Sequence, residues 1–359
     1  MNRTSARRSL AAFLALTALT AIVPAAEAAK AKKKRSTNVT VMTRNLYLGT
    51  DLIPIALAPN RPAFEAAASA GFAQVKATNF AARSKLIAKE IKRTKPDLIG
   101  LQETALWRTG PKDGTATRAG DVQIDYLALL RKALKQAKLK YSVVRVTNEA
   151  DIEGPLQENL DVRLTMRDVI LAKKRDGMKV RKRGGGNYTA ALAIPTVAGT
   201  FTSRRGFAFA DLNLNGKRFR FVNTHLEAYG DQFRTPQAQQ LVGGAAGKSG
   251  RVILVGDMNS DPNGDEPNAF NTLIAAGFTD TWARLHPGDP GLTSGLNADL
   301  KDPPSPNPFD DSRIDHVLYK GKIRPLNSTI VGKNPANSRT SSGLWASDHA
   351  GVVTKYKLK

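Results

Sequence analysis

Among its 359 residues the chain has no cysteine, only 31 acidic residues against 54 Lys and Arg, and aromatics at 6%. Each shortage removes something. Without cysteine there are no disulfides, no thiolate nucleophile and no Cys-ligated zinc. The deficit of acids leaves a formal charge of +23. That balance favours polyanionic partners: nucleic acid, an anionic membrane surface or phosphorylated small molecules. Sparse aromatics count against a protein built to insert in a bilayer interface, although Trp107, Trp282 and Trp345 have no assigned place.

What is present begins with a targeting segment. Arg3, Arg7 and Arg8 precede the apolar run "SLAAFLALTALTAIV", and Ala26-Glu27-Ala28 fits an A-x-A cleavage site. Residues 1–29 are therefore expected to be a cleaved signal peptide, with a membrane anchor as the alternative, and the mature protein to be secreted. Arg7-Arg8 also fits twin-arginine export. Cleavage after residue 28 removes three Arg and one Glu, taking +23 to +21. Residues 30–37 read as a basic flexible linker, and 38–359 as one catalytic domain large enough for a substantial core.

The domain opens in β-α-β-α-β order. "NVTVMTRNL" alternates as a strand. A helix follows with Asn79 as N-cap, Phe80, Ile87 and Ile91 on one face, and Pro96 beyond its end. "DLIGLQE" is the next strand, Leu127, Leu130 and Leu134 mark another helix, and "YSVVRV" is a third strand. From Asp168 strands predominate. Asp176-Gly177 and Asn215-Gly216 both read as hairpin turns, and residues 287–311 as a long surface loop. Helices alternating with strands, plus long hairpins, indicate a mixed sheet system rather than a pure doubly wound fold.

Several strands end in groups that carry chemistry. The apolar run Val252–Val255 leads through Gly256 into Asp257 and Asn259. Asn45, Glu103, His225 and Asp315 stand at comparable places, and "SDHAGV" brings Asp348 and His349. Singly, each is an ordinary turn or sheet residue. Together they read as one site for metal-assisted phosphoester hydrolysis. Carboxylate and amide oxygens suit a hard divalent cation, imidazoles exchange protons near neutral pH, and Asp315 could orient His349.

"NLYLG", "LIGLQE", "VNTHLEA", "VGDMNSDP", "RIDHVLY" and "SDHAGV" resemble, in order, the motifs of the endonuclease/exonuclease/phosphatase superfamily, whose members resemble DNase I. The resemblance implies an α/β (α+β) fold: a four-layer sandwich of two packed, mostly antiparallel β-sheets flanked by helices, with the site at one edge. It implies Glu103 as principal Mg²⁺ ligand (Mn²⁺ or Ca²⁺ as alternatives), with Asn45 close by and Asp348 also ligating. Asp257 would position or deprotonate the attacking water, Asn259 would bind phosphate, and His225 would be the general acid. His349, oriented by Asp315, would contact the scissile phosphate or act as base. Asp168 would orient His225, and Arg205 resembles a phosphate-contacting arginine. His316 alternates away from Asp315 and reads as structural, and His286 as a surface residue. The substrate expected from the charge is nucleic acid, cleaved by a monomeric enzyme. Lipid phosphodiesters and inositol or other small phosphates are the alternatives. "KKRDGMKVRKRGGG" is expected as a basic hairpin that follows a phosphate backbone.

Overall fold

The computed structural model describes residues 36–114, 117–303 and 308–359. The expected signal segment and residues 30–35 of the linker lie outside the described residues. In chain order the first strands are β1 (Asn38–Asn45), β2 (Leu98–Gln102), β3 (Leu106–Pro111), β4 (Asp121–Asp125), β5 (Tyr141–Pro155) and β6 (Leu160–Lys173). Then come β7 (Met178–Asn187), the pair β8 (Leu192–Thr196) and β9 (Gly199–Ser203), β10 (Gly206–Leu214) and β11 (Lys217–His225). The chain ends with β12 (Val252–Asp257), β13 (Thr279–Asp280), β14 (Asp315–Lys320), β15 (Ile323–Val331) and β16 (Gly351–Leu358). The helices are α1 (Ile53–Ala56), α2 (Arg61–Ala77), α3 (Phe80–Thr94), α4 (Tyr126–Gln136), α5 (Asp231–Gly243), α6 (Asn268–Ala275), α7 (Thr281–Leu285) and α8 (Pro335–Ser338).

One sheet runs β15-β16-β1-β2-β6-β3-β4, with β5 also on β6; the other runs β13-β14-β12-β11-β10-β7. Among the described pairs only β1–β2 and β11–β12 are parallel. Three apolar clusters separate four layers. The first sets α2, α3 and α4 on the outer face of the first sheet, and the second lies between the sheets. The third sets α5 and α6 on the second sheet. Strand alternation divides the side chains among them: Ile253 and Val255 face the other sheet, Val252 and Leu254 face the helices. That is why β12 reads as an unbroken apolar run.

Local chemistry sets the ends of elements. Asn79 caps α3 by accepting from the Ala82 N–H at 3.2 Å, and Phe80, Ile87 and Ile91 are buried as their spacing requires. Asn215-Gly216 makes the tight β10–β11 hairpin, with Leu214 opposite Lys217 and both turn residues at positive φ (49° and 88°). Asp176-Gly177 turns the chain but forms no hairpin. β6 is bonded on one side by β2 and β3 and on the other by β5, so it has no free edge. β7 therefore crosses to the second sheet and pairs with β10. Residues 287–311 form neither helix nor strand where described, yet they are more than a surface loop. Leu300 and Phe309 are fully buried against Trp345.

The two sheets come into close contact where Gly100 of β2 faces Asn223 of β11. A Cβ at Gly100 would stand 2.3 Å from Asn223 Oδ1 and 2.6 Å from Val255 Cγ2. Asn223 there accepts from Gln102 Nε2 at 2.6 Å and donates to the Leu101 carbonyl at 3.0 Å, a polar joint between sheets. Gly100→Ala is expected to lower unfolding stability by about 1–3 kcal/mol through overpacking, measured by urea denaturation. A stability equal to that of the parent would show that the joint yields without cost.

Candidate active site

Register alone assembles half of the site. His225 pairs with Asp257 across the parallel β11–β12 ladder, and Asp257 pairs with Asp315 across antiparallel β12–β14. Three chemically active residues thus lie side by side at one edge of the second sheet. In the first sheet Asn45 pairs with Gln102, placing Glu103 one residue beyond. The turn carrying Asp348 and His349 enters between the two sheets, just ahead of β16. Glu103, Tyr47 and Asn259 all have left-handed backbones (φ 51°, 56° and 47°). Such conformations persist where surrounding contacts impose them.

Side chains of Asn45, Glu103, His225, Asp257, Asn259, Asp348 and His349 meet around a cleft of about 310 Å³. Asn45 Nδ2 donates to Glu103 Oε1 and to Asp257 Oδ2, each at 3.0 Å. Its amide oxygen accepts from the Tyr47 N–H at 2.9 Å, so the amide offers the carboxylates N–H rather than oxygen. Glu103 Oε2 accepts from the Leu48 N–H at 2.7 Å. Asn259 donates its backbone N–H to Asp257 Oδ1 at 3.0 Å and its amide N–H to the Leu226 carbonyl at 3.0 Å. His349 Nδ1 stands 2.8 Å from Asp315 Oδ2, and its Nε2 3.8 Å from Asp257 Oδ2. His225 Nε2 is 3.5 Å from the same Asp257 oxygen.

The two histidines have opposite electrostatics. Burial, then the Arg205 guanidinium and then His349 push the His225 pKa well below that of a free imidazole. His349 is also buried, but Asp315, Asp348 and Asp257 together raise its pKa well above the usual value. The surroundings thus favour the proton on His349 over His225. Burial raises Asp257 to about 7; Asp315 adds to this, while His349 and the bonds from Asn45 and Asn259 oppose it. Burial and Glu103 likewise bring Asp348 to about 6 against the pull of His349. Carboxylates crowded in this way fit a divalent cation. Glu103, His225 and Asp257 have ligand atoms within 4.8 Å of one another, as do Asp257, Asp315 and His349.

Asp168 is fully buried but makes no hydrogen bond to His225. One oxygen accepts weakly from Asn223 at 3.4 Å, and the other has no partner. Arg205 occupies that position instead, with Nη1 3.0 Å from each ring nitrogen of His225. It is buried rather than exposed at a strand edge. His316 turns away, Nε2 3.1 Å from the Ser260 carbonyl, its ring against Phe270. His286 is no free surface residue: it is half-buried, stacked on Trp282 at 4.1 Å and bonded to the Ser328 carbonyl.

Three contributors escaped the sequence reading. Glu149 is buried with both carboxylate oxygens unpartnered and lies within 4.8 Å of Asp168 and His225; its only sequence signal is an acid at an inward position of β5. Glu227, two residues after His225, accepts from Ser203 Oγ at 2.6 Å and from Arg205 Nε at 3.4 Å. Burial would raise its pKa, but Arg205 and these bonds hold it below the usual value. Arg83 of α3 is buried and donates to four carbonyls: Thr78, Leu46, Tyr47 and Ala346. It thereby clasps the segment after Asn45 to the segment before Asp348.

The model of the endonuclease/exonuclease/phosphatase family matches residues 68–349. No curated protein sequence matches the chain. Among solved structures, an endonuclease/exonuclease/phosphatase family protein from Bacteroides thetaiotaomicron is similar at 15% identity and TM-score 0.57, over 90% of this chain and 99% of that one. A humanized D. rerio TDP2 is similar at 16% identity and TM-score 0.54, covering 90% and 100%. A mannosyl-6-phosphatase from Bacteroides thetaiotaomicron gives 17%, TM-score 0.53, 89% and 99%. These likenesses are of fold. The family model, spanning most of a chain whose strand ends converge on one acid- and histidine-lined cleft, identifies the protein as a member of the endonuclease/exonuclease/phosphatase family of phosphoester hydrolases.

Proposed function

We propose that the protein is an exported, divalent-metal-dependent phosphodiesterase that cleaves nucleic acid by in-line attack of an activated water. The observation that carries this reading is the meeting of Glu103, Asp257, Asp348 and His349 at one cleft in a chain of +23 charge. β7 supports the substrate class: it is an outer strand of its sheet with Lys179, Arg181, Lys182 and Arg183 all exposed. A related fold, D. rerio TDP2, has been solved with a single-strand DNA product, and another relative is named a sugar phosphatase. Against a bilayer substrate stands the burial of all three tryptophans. Export rests on the basic and apolar character of residues 1–29.

Glu103 and Asp348, with Asp257 alongside, would hold the cation. When bound it supplies positive charge beside the non-bridging oxygens of the phosphate. Asp257, kept near neutrality by its surroundings, accepts the proton of the attacking water. The His349 imidazolium, oriented by Asp315, donates to the phosphate as charge develops or protonates the leaving oxygen. Neutral His225 and Arg205 form the facing wall, where the guanidinium adds a fixed positive charge. Asn45 bridges Glu103 and Asp257 and keeps the two carboxylates in register.

Plasmid DNA incubated with Mg²⁺ is expected to be nicked, with EDTA abolishing the reaction. Choline-phosphate release from sphingomyelin vesicles without nicking would replace nucleic acid by lipid as the substrate. His225→Ala, Asp257→Ala and His349→Ala are each expected to lower turnover at least about a hundredfold. Near-normal activity in any one would remove that residue from the mechanism.

Metal linkage gives a further expectation. Asp257 and Asp348 have folded pKa values above those of free carboxylates, so the folded state binds more protons than the unfolded one between about pH 4 and 7. In EDTA, stability from this pair is full below that window and is lost as pH rises through it. Mg²⁺ is therefore expected to raise the melting temperature more at pH 8 than at pH 5. An equal shift at both values would place the ion away from these acids.

A further inference from the structure

Beside the catalytic cleft lies a second cavity of about 620 Å³. Its floor is apolar, made by Phe64 and Phe72 of α2, Trp107 of β3 and Leu164 of β6. Its roof is the β8–β9 hairpin, which belongs to neither large sheet. Leu52, Ala56, Leu164 and Phe201 line both the cavity and the cleft, so the two adjoin across an apolar boundary. The opposite rim is polar, with Thr196, Thr200, Thr202 and Arg204 along the hairpin. Arg118 on the other wall is already ion-paired with Asp151 and Glu153. Glu149 also lines the cavity with its carboxyl oxygens buried, and burial raises its pKa to about 8.

A guest that fits has flat apolar faces and polar groups at its edges. A hydrocarbon chain would match the floor and leave the hydroxyls of Thr200 and Thr202 without partners, a desolvation penalty that a polar edge avoids. We infer that this chamber receives an unstacked nucleobase of the substrate strand, held against Phe201 next to the phosphate being cleaved. The inference rests on the nucleic-acid reading and narrows it. A base can enter only after leaving its stack, so single strands and unpaired regions are the preferred substrates. The chamber neighbours the cleft but lies off the basic strand β7, so base and backbone would be read by different parts of the surface.

The test compares kcat/KM for a single-stranded oligodeoxynucleotide, its duplex, and bis(4-nitrophenyl) phosphate, which brings no base. The parent protein is expected to favour the single strand over the duplex at least tenfold. Ala198→Trp fills the chamber from the hairpin, and Thr200→Trp does so from its mouth, in case one of them fails to fold. In either variant the ratio of single-strand to bis(4-nitrophenyl) phosphate kcat/KM is expected to fall at least tenfold, mainly through KM. Equal cleavage of single strand and duplex, with that ratio within twofold of the parent in both folded variants, would overturn the chamber inference while leaving a nuclease. Hydrolysis of bis(4-nitrophenyl) phosphate with neither oligonucleotide cut would overturn the nucleic-acid reading itself. If sphingomyelin is hydrolysed and the variants abolish that activity, the guest is a hydrocarbon and the base assignment falls.

Discussion

The acids and histidines of the cleft come from two sheets or from the turns at their ends, so the site exists only if those sheets are held at a fixed separation. Gly100 and Asn223 set it. The missing side chain on one strand admits the amide of the other, and the amide bonds back to Gln102 and Leu101 of the first sheet. One residue beyond Gln102 is Glu103; two beyond Asn223 is His225. Sheet spacing and active-site geometry are therefore the same quantity, read at neighbouring positions. A polar joint suits this better than apolar contact, because hydrogen bonds fix direction as well as distance.

Within that frame the cleft separates protons by surroundings rather than by residue type. Two imidazoles lie within 4 Å of the same Asp257 oxygen, yet their pKa values are pushed in opposite directions. Arg205 stands against His225, whereas three carboxylates surround His349. The same crowding raises Asp257 and Asp348, which places several buried acids near the pH where they exchange protons. Such an arrangement costs stability in the absence of a cation, a strain that catalytic clefts commonly carry.

Much of this was legible in the sequence because strand ends advertise themselves. A run such as Val252–Val255 ending in Gly256, Asp257 and Asn259 is hard to mistake; the order of such runs indicated a mixed sheet system, and the family resemblance they carry implied the layered sandwich. Register was not legible: nothing local says that His225 will pair with Asp257. Nor was the departure of the chain after β6. Asp176-Gly177 has hairpin chemistry, but whether a turn closes a hairpin depends on a free edge, and the residues paired with β6 lie 6 to 74 positions away. α2 went unseen because Ala and Gly dilute its pattern; its buried face, Phe64, Ala68, Phe72 and Val75, is too small to stand out. Glu149 and Arg83 are unremarkable letters whose significance comes only from burial without an obvious partner.

Arg83 has a consequence of another kind. Apart from the Tyr126 hydroxyl, the atoms it grips are main-chain oxygens, at Leu46, Tyr47, Thr78 and Ala346. Its bonds to those loops follow their main-chain path, and of their side chains it meets the Tyr47 ring, over which the guanidinium lies. Neighbouring positions in those loops are thus free to diversify, and with them the ground over which a substrate approaches. A gain or loss of even one residue would drag a carbonyl out of reach. Variation in this family member should accordingly run through spelling rather than length wherever the chain passes beneath that guanidinium.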